Sequence, residues 1–188
     1  GGYPFKELRH KFLMAQPCEV TPFTDGDFPK EVEILPLPGH FFDMVGFRLP
    51  DGTAFIADCL SSDAALAKYQ ISFLYDVAGY LATLEQVAEM DAKLFVPSHA
   101  DAVADIAPLA QRNRDKVLAV ADHICRICRP GKTPEELLRQ LFIDYDLMMT
   151  HEQYVLIGST VRSYTAWLKD SGRLTCAFED NRLIWQAV

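Results

Sequence analysis

The 188-residue sequence predicts an α/β protein, because short apolar runs typical of strands alternate with longer runs of helical spacing. Two further observations support this fold class. The pair Asp51-Gly52, between two apolar runs, is typical of a tight β-hairpin turn. Hydrophobic residues make up 49% of the chain and charged residues 23%, as in folded globular domains and unlike disordered chains.

The first elements are a short helix and a group of strands. Residues 3–15 predict a helix, because Phe5, Leu8 and Phe12 recur at spacings of three and four. A polar loop with Pro, Gly and Asp turn signals follows at 21–30. The apolar runs after this loop predict three strands, at 31–37, 44–49 and 53–57.

Helical patterns dominate the middle of the chain. Residues 71–90 keep the three-and-four apolar spacing of a helix, and the run 93–96 predicts another strand. Residues 102–128 form one or two helices, in which Pro108 is either a break or a first-turn residue. This order of strand, turn, helix and strand is typical of an α/β sandwich, in which helices cover the outer faces of a sheet.

Pro130-Gly131 marks a predicted boundary between one domain over residues 1–130 and a tail over 131–188. Thr133 and Thr150 are good N-caps for two helices, the first with a capping box and the second running to about residue 170. Gly172 is a suitable C-cap. The remaining residues predict a hairpin of two strands, at 173–178 and 182–187.

Three residues of metal-binding type stand at the ends of predicted strands: His40 in Pro38-Gly39-His40, Asp58 in Ala57-Asp58-Cys59 and His99 in Pro97-Ser98-His99. They are too far apart in sequence to share a helical face, so only a sheet could bring them together. Two imidazoles and a carboxylate suit zinc, or less exclusively iron or manganese. Simpler interpretations stay open: a polar turn residue at position 40, an N-cap for 61–69 at Asp58, and a cap or loop residue at His99.

These motifs, in this order and each after an apolar strand, resemble the C-terminal half of the metallo-β-lactamase superfamily. The resemblance covers roughly residues 31–100. The upstream metal-binding motif of that family, HxHxDH, is absent, since the only earlier histidine is His10. In many members a short segment ending in Gly-Gly follows that motif, and this chain begins Gly1-Gly2. We therefore expect a fragment that starts just after the missing cluster.

The resemblance implies a partial αββα sandwich and a hydrolase that acts through water activated by two metals. It implies that His40 binds the first metal, that Asp58, also the catalytic residue, bridges the two, and that His99 binds the second. The expected cofactor is zinc, two per complete site, with iron or manganese as alternatives. The substrate is a small molecule, an ester, thioester or phosphoester. The expected hydrogen-bond partners of the imidazoles are four acids, Asp43, Asp63, Asp76 and Asp101. The pair Tyr75-Asp76 also resembles a position at which members of the family carry residues that face the site.

With three ligands, the chain alone is expected to be inactive or weakly active, and either a homo-oligomer or a partner of the missing half in trans. The tail resembles a small winged-helix domain. Its basic residues Arg162, Lys169, Arg173 and Arg182 are countered by acids, so a role in framing the cleft or in dimerisation is favoured over nucleic-acid binding. The alternative is a non-catalytic module that binds a protein or nucleic acid through a degenerate half-site and this tail.

The net charge, the apolar runs and the cysteines indicate which partners and which cellular compartment the sequence favours. The net charge of −8 argues against a surface made for nucleic acid, and no apolar run approaches the roughly 20 residues that span a bilayer. Five scattered cysteines fit a reducing cytoplasm better than a disulfide framework. The pair Cys125 and Cys128 lies in a helical pattern without two further ligands, which favours core packing over zinc binding.

Overall fold

The computed structural model describes residues 4–9, 14, 17–20 and 28–188, and it confirms the predicted α/β class. Its strands are β1 (Glu33–Pro36), β2 (Val45–Arg48), β3 (Thr53–Phe55), β4 (Leu94–Val96), β5 (Leu174–Glu179) and β6 (Arg182–Ala187). Its helices are α1 (Asp63–Tyr69), α2 (Val77–Ala88), α3 (Ala107–Ile127), α4 (Pro134–Asp144) and α5 (His151–Asp170). A short 3-10 helix, Lys6–Leu8, lies within the predicted helix 3–15, of which Phe12 falls outside the described residues.

A mixed four-stranded sheet in the order β1-β2-β3-β4 positions the candidate ligands. The first three strands are antiparallel, and β4 runs parallel to β3. The predicted hairpin turn joins β2 to β3, where the Asp51 carboxylate accepts a hydrogen bond of 2.8 Å from the backbone N–H of Thr53. Because β3 and β4 are parallel, their carboxyl ends lie side by side at one edge.

The two faces of this sheet differ in what covers them. Leu35, Ala54 and Phe95 are buried and belong to the core. On the opposite face, four apolar residues in direct register cross all four strands: Ile34, Phe47, Phe55 and Val96. Phe55 in this row is 41% exposed. The sheet therefore has one packed face and one apolar face that is only partly covered.

The predicted helix 71–90 is wrong in its first turn and a half, because α2 begins only at Val77. Residues before it have their backbone groups bound elsewhere: the Leu74 N–H donates to the Thr160 hydroxyl and the Tyr75 N–H to the Gly39 carbonyl. Apolar spacing cannot distinguish a helical turn from a loop that packs equally well. This loop, residues 70–76, borders the candidate site.

The later helices follow their capping signals. α3 is a single helix with Pro108 in its first turn, and Thr133 forms the predicted capping box with Glu136. Thr150 caps α5, whose last residue is followed by Ser171 as C-cap. The β5–β6 hairpin turns at Asp180 and Asn181, which both have positive φ angles, as a tight hairpin turn requires.

One hydrophobic core cluster joins the sheet to the helices of the tail, including Leu35 of β1, Val120 of α3, Leu141 of α4 and Leu168 of α5. Cys128, at the end of α3, is fully buried in it, and burial raises the pKa of its thiol to about 12. No helix in the described part of the chain has both the length and the apolar composition needed to cross a lipid bilayer.

The contact between α4 and α5 offers a stabilising substitution at Gly158. A Cβ atom at this position would lie 3.5 Å from Leu138 Cδ2, an ordinary van der Waals contact. Because alanine has the higher helix propensity, Gly158→Ala is expected to raise the free energy of unfolding by about 1 kcal/mol. Urea denaturation would measure the gain, and a loss of stability would show that the two helices have no room for the methyl group.

Candidate functional site

The fold brings His40, Asp58 and His99 together at the edge where β3 and β4 end. The Asp58 carboxylate lies between the two rings: Oδ2 is 3.8 Å from His40 Nε2, and Oδ1 is 3.5 Å from His99 Nε2. The three side chains are partly exposed, at 29% for His40, 36% for Asp58 and 59% for His99. Each carboxylate oxygen therefore faces a different imidazole in a site open to solvent.

The Pro38-Gly39-His40 turn is held by the N-terminal end of α2. Gly39 has a φ of +125°, and a Cβ atom there would overlap the backbone of Tyr80. Its carbonyl accepts hydrogen bonds of 3.0 Å from the N–H groups of Tyr75 and Asp76. The Thr83 hydroxyl donates to the Pro38 carbonyl at 2.7 Å. Only glycine fits this close approach to α2. The turn therefore fixes the position of His40 relative to the end of β1.

The loops that carry Asp58 and His99 are tied to each other. Ala57 has a φ of +49°, which turns the chain sharply after β3, and its carbonyl accepts from the Ser98 N–H at 3.0 Å. The His99 carbonyl accepts from the Ser62 N–H at the same distance. The strained Ala57 backbone and these two hydrogen bonds set the spacing between the carboxylate and the second imidazole.

Asn113 of α3 binds the loop that carries Asp58, and this residue is only 1% exposed. Its Oδ1 accepts from the Ser61 N–H at 2.9 Å and from the Tyr80 hydroxyl at 3.2 Å. Its Nδ2 donates to the carbonyls of Ser61 and Leu109 at 2.8 and 2.9 Å. This one amide binds both backbone groups of a residue three positions after Asp58, so it holds that loop in place.

The interpretations of Asp58 and His99 as helix caps are wrong. The N-cap of α1 is Ser62, whose hydroxyl accepts from the Ala65 N–H at 3.3 Å. α3 begins at Ala107, well after His99. Both side chains instead face each other across the sheet edge.

Electrostatics favour a neutral His40. Burial lowers the pKa of this imidazole, and the nearby Asp58 carboxylate and a hydrogen bond to the Phe73 backbone only partly oppose that effect. A neutral ring with its Nε2 directed at Asp58 is the form that binds a metal. The ring of Phe73 also packs edge-on against it, with centroids 5.5 Å apart.

Among the described residues, none of the four acids considered as imidazole partners forms a hydrogen bond or ion pair with either ring, and both imidazoles face Asp58. Asp63 instead pairs with Arg112 at 2.6 Å. Tyr75 joins Phe41 and Phe42 in an exposed aromatic cluster beside His40, with ring centroids 4.3 to 5.9 Å apart. These rings enlarge the apolar surface at the site.

The three candidate ligands line a cavity of about 500 Å³. Helix α5 of the tail forms part of its wall through Gln153, Leu156, Ile157 and Thr160. The same helix holds the 70–76 loop, because the Ser163 hydroxyl donates to the Tyr75 carbonyl at 2.8 Å. The tail therefore shapes the cavity that contains the candidate ligands.

The donor set fits half of a two-metal site. Each end of the Asp58 carboxylate faces one imidazole nitrogen, so this chain offers one nitrogen and one oxygen at each of two positions. Within the described ranges, no three His, Cys, Asp or Glu side chains form a group that could hold an ion alone. Neighbouring Cys59 is fully buried and is not among the residues that line the cavity. Further ligands would complete either position.

The sequence predicts the candidate ligands but not the residues that support them. The sequence contains a signal for Asn113, because this polar residue interrupts the apolar face that Leu109, Ala110 and Val117 share in α3. A role of the tail in framing the cleft was expected, but the residues of α5 that line the cavity were not, because nothing in a helical repeat specifies which distant loop it will meet.

Comparison with known proteins gives matches only at the level of structure. No protein-family model and no curated protein sequence matches the chain. A metallo-beta-lactamase family protein from Thermus thermophilus is similar with a TM-score of 0.65 at 16% identity, over 84% of this chain and 49% of that one. A beta-lactamase domain protein from Burkholderia ambifaria gives a TM-score of 0.70 at 14% identity, over 84% and 47%.

The chain thus spans about half the length of these solved structures. The likeness lies in the fold, since the identities are low. It agrees with the order of strands and helices from which the resemblance was drawn. In its described residues, this protein has the α/β fold of part of a metallo-β-lactamase family protein.

Proposed function

We propose that this chain supplies half of a two-metal centre to a metal-dependent hydrolase, with His40 and His99 as terminal ligands and Asp58 as the bridging, catalytic carboxylate. Zinc is the metal that this donor set suits best, with iron and manganese as alternatives. The observation that carries the proposal is the position of Asp58, whose two oxygens face different imidazoles at 3.8 and 3.5 Å.

A divalent metal bound here would supply Lewis-acid activation of water and of a scissile carbonyl or phosphoryl group. The residues of the chain orient the ligands. The ring of Phe73 packs edge-on against the His40 ring, whose Nε2 faces Asp58. Asp58 brings a negative charge between two positions that cations would share, and this charge would offset their mutual repulsion. The substrate class proposed is an ester, thioester or phosphoester.

The remaining ligands, we propose, come from a second segment with the other half of the fold, either in the same protein or in a separate chain. Two observations support this. The similar solved structures are about twice as long as this chain, and one face of the sheet presents the apolar row Ile34, Phe47, Phe55 and Val96. An apolar sheet face of this kind is usually covered in the functional protein. The alternative to a segment with the other half of the fold is a second copy of this chain.

The tail, residues 131–188, is proposed as a winged-helix-like unit that frames the cleft. Its contribution to the cavity wall through α5 supports this role. Nucleic-acid binding is not favoured, because Arg173 pairs with Asp122 at 2.7 Å and Arg182 lies 3.9 Å from Asp180. All five cysteines are free thiols, in keeping with a proposed place of action in the cytoplasm.

Titration of the metal-free chain with Co²⁺ would test the ligand assignment. We expect weak binding, visible as cobalt absorption bands, because the chain offers only two donors per position. His40→Ala, Asp58→Asn and His99→Ala should each weaken this binding at least about tenfold, since each removes one of these donors.

His151→Ala is the matched control, because His151 is exposed and packs against Phe5, outside the candidate site. Its cobalt titration should match that of the unchanged chain. Cobalt binding that all four variants reduce equally, or that none reduces, would refute the ligand assignment. Absence of any cobalt signal would favour the non-catalytic binding module instead.

A further inference from the structure

The cavity around the candidate ligands is apolar over much of its wall. It measures about 500 Å³, within the range of pockets that hold small organic ligands. The apolar side chains come from α1, the 70–76 loop and α5, and they are Ala65, Ile71, Phe73, Leu74, Leu156 and Ile157. Ile71, Leu74 and Ile157 are almost fully buried, so they give the cavity a well-packed apolar boundary.

Positive charge is missing from this wall. None of the described residues that line the cavity is Lys or Arg, and its one carboxylate is Asp58. Two cations of neighbouring elements are engaged elsewhere: Arg112 with Asp63 at 2.6 Å, and Lys116 with the Gln70 side chain at 2.6 Å. An anionic group in this space would find no Lys or Arg in the described part of the wall to pair with, and burial of an unpaired charge is unfavourable.

Several polar groups of the wall are already engaged within the protein. The Thr160 hydroxyl accepts from the Leu74 N–H at 3.3 Å and donates to the Leu156 carbonyl at 3.1 Å. Both backbone groups of Ser61 are bound by Asn113. The wall can therefore recognise shape and apolar surface better than it can recognise a strongly hydrated group.

We infer that this cavity binds an uncharged alkyl or aryl group against α5. If the proposed function holds, on which this part rests, the substrate is an ester, thioester or phosphoester whose acyl or alcohol part is apolar and uncharged. Each methylene buried in such a cavity strengthens binding about fourfold, so a medium-length chain gains more from this wall than a short polar one. The binding of the apolar group itself requires no metal.

Two dyes of nearly the same shape test the inference on the metal-free 188-residue chain. N-phenylnaphthylamine is neutral, and anilinonaphthalene sulfonate adds one negative charge to the same ring system. Both become fluorescent in an apolar site. We expect the neutral dye to bind with one site per chain and the anionic dye to bind at least about tenfold more weakly, because its charge has no partner in the cavity.

Two pairs of variants locate the dye. Ala65→Phe fills the cavity from α1, and Ala64→Phe adds the same ring on the exposed side of that helix. Leu156→Asn makes the α5 wall polar, and Val155→Asn changes a neighbour that is 41% exposed and outside the cavity. Ala65→Phe and Leu156→Asn should weaken the neutral dye at least about tenfold, whereas the two controls should leave its affinity unchanged.

Absence of neutral-dye binding, equal affinity for both dyes, or equal effects of the cavity variants and their controls would overturn the inference. Thermal melting of each variant shows that it is folded before its dye titration is compared. The dye experiment contains no metal, so its failure is distinguishable from failure of the proposed function, which would appear as a cobalt titration insensitive to the candidate ligands.

Discussion

Gly39→Ala is expected to lower the free energy of unfolding by about 4 kcal/mol, as the combined cost of a left-handed φ and an overlap with packed backbone. The φ of Gly39 is +125°, and the new Cβ would overlap the backbone nitrogen and Cα of Tyr80. Relief requires the turn to move away from α2, which would break the hydrogen bonds from Tyr75 and Asp76 to the Gly39 carbonyl. Urea denaturation followed by circular dichroism would measure the loss.

Gly172→Ala separates the two contributions. Gly172 also has a positive φ, +74°, but a Cβ atom there would meet nothing within 4 Å. This control is expected to cost only about 1 kcal/mol, the strain of the left-handed backbone alone. Equal losses for the two variants would show that the contact between the Gly39 turn and α2 yields easily, and that the turn does not fix His40.

Asn113→Leu is expected to lower the free energy of unfolding by about 3 kcal/mol, because the leucine leaves several polar groups without partners in a buried site. Those groups are the N–H and carbonyl of Ser61 and the Tyr80 hydroxyl. The asparagine and leucine side chains are nearly the same size. The loss of stability therefore reports the missing hydrogen bonds and not a cavity. Chemical denaturation would measure it.

Tyr80→Phe provides a graded control for this prediction. It removes only the 3.2 Å hydrogen bond from the Tyr80 hydroxyl to Asn113, and it is expected to cost about 1 kcal/mol. A loss in Asn113→Leu no larger than in Tyr80→Phe would mean that the Ser61 backbone finds other partners. The loop that carries Asp58 would then be held by its own turn and not by α3.

Short-range rules predicted the elements whose signals are local. The hairpin at Asp51-Gly52, the capping box at Thr133 and the N-cap at Thr150 are all present. Each depends on contacts between residues a few positions apart, and these form in any surrounding structure. The strand ends that carry His40, Asp58 and His99 also lie close to where the apolar runs stop.

The wrong predictions concern segments whose backbone groups bind residues that are distant in sequence. Residues 71–76 have helical apolar spacing. Yet the N–H groups of Leu74, Tyr75 and Asp76 bind Thr160 and Gly39, which are far away in sequence. α1 was visible only as an alternative for Asp58, and its true cap is Ser62. Periodicity reports that a face is buried, but it does not report what lies against that face.

By itself, the sequence determined roughly where the strands stop and that residues of metal-binding type follow them, because hydrophobic alternation, turn chemistry and donor type are properties of the local chain. Tertiary structure alone decided that Asp58 lies between two imidazoles, that Asn113 and α5 hold the surrounding loops, and that the cavity is apolar over much of its wall and has no described Lys or Arg. These features depend on distances between segments that the chain brings together only when its core packs.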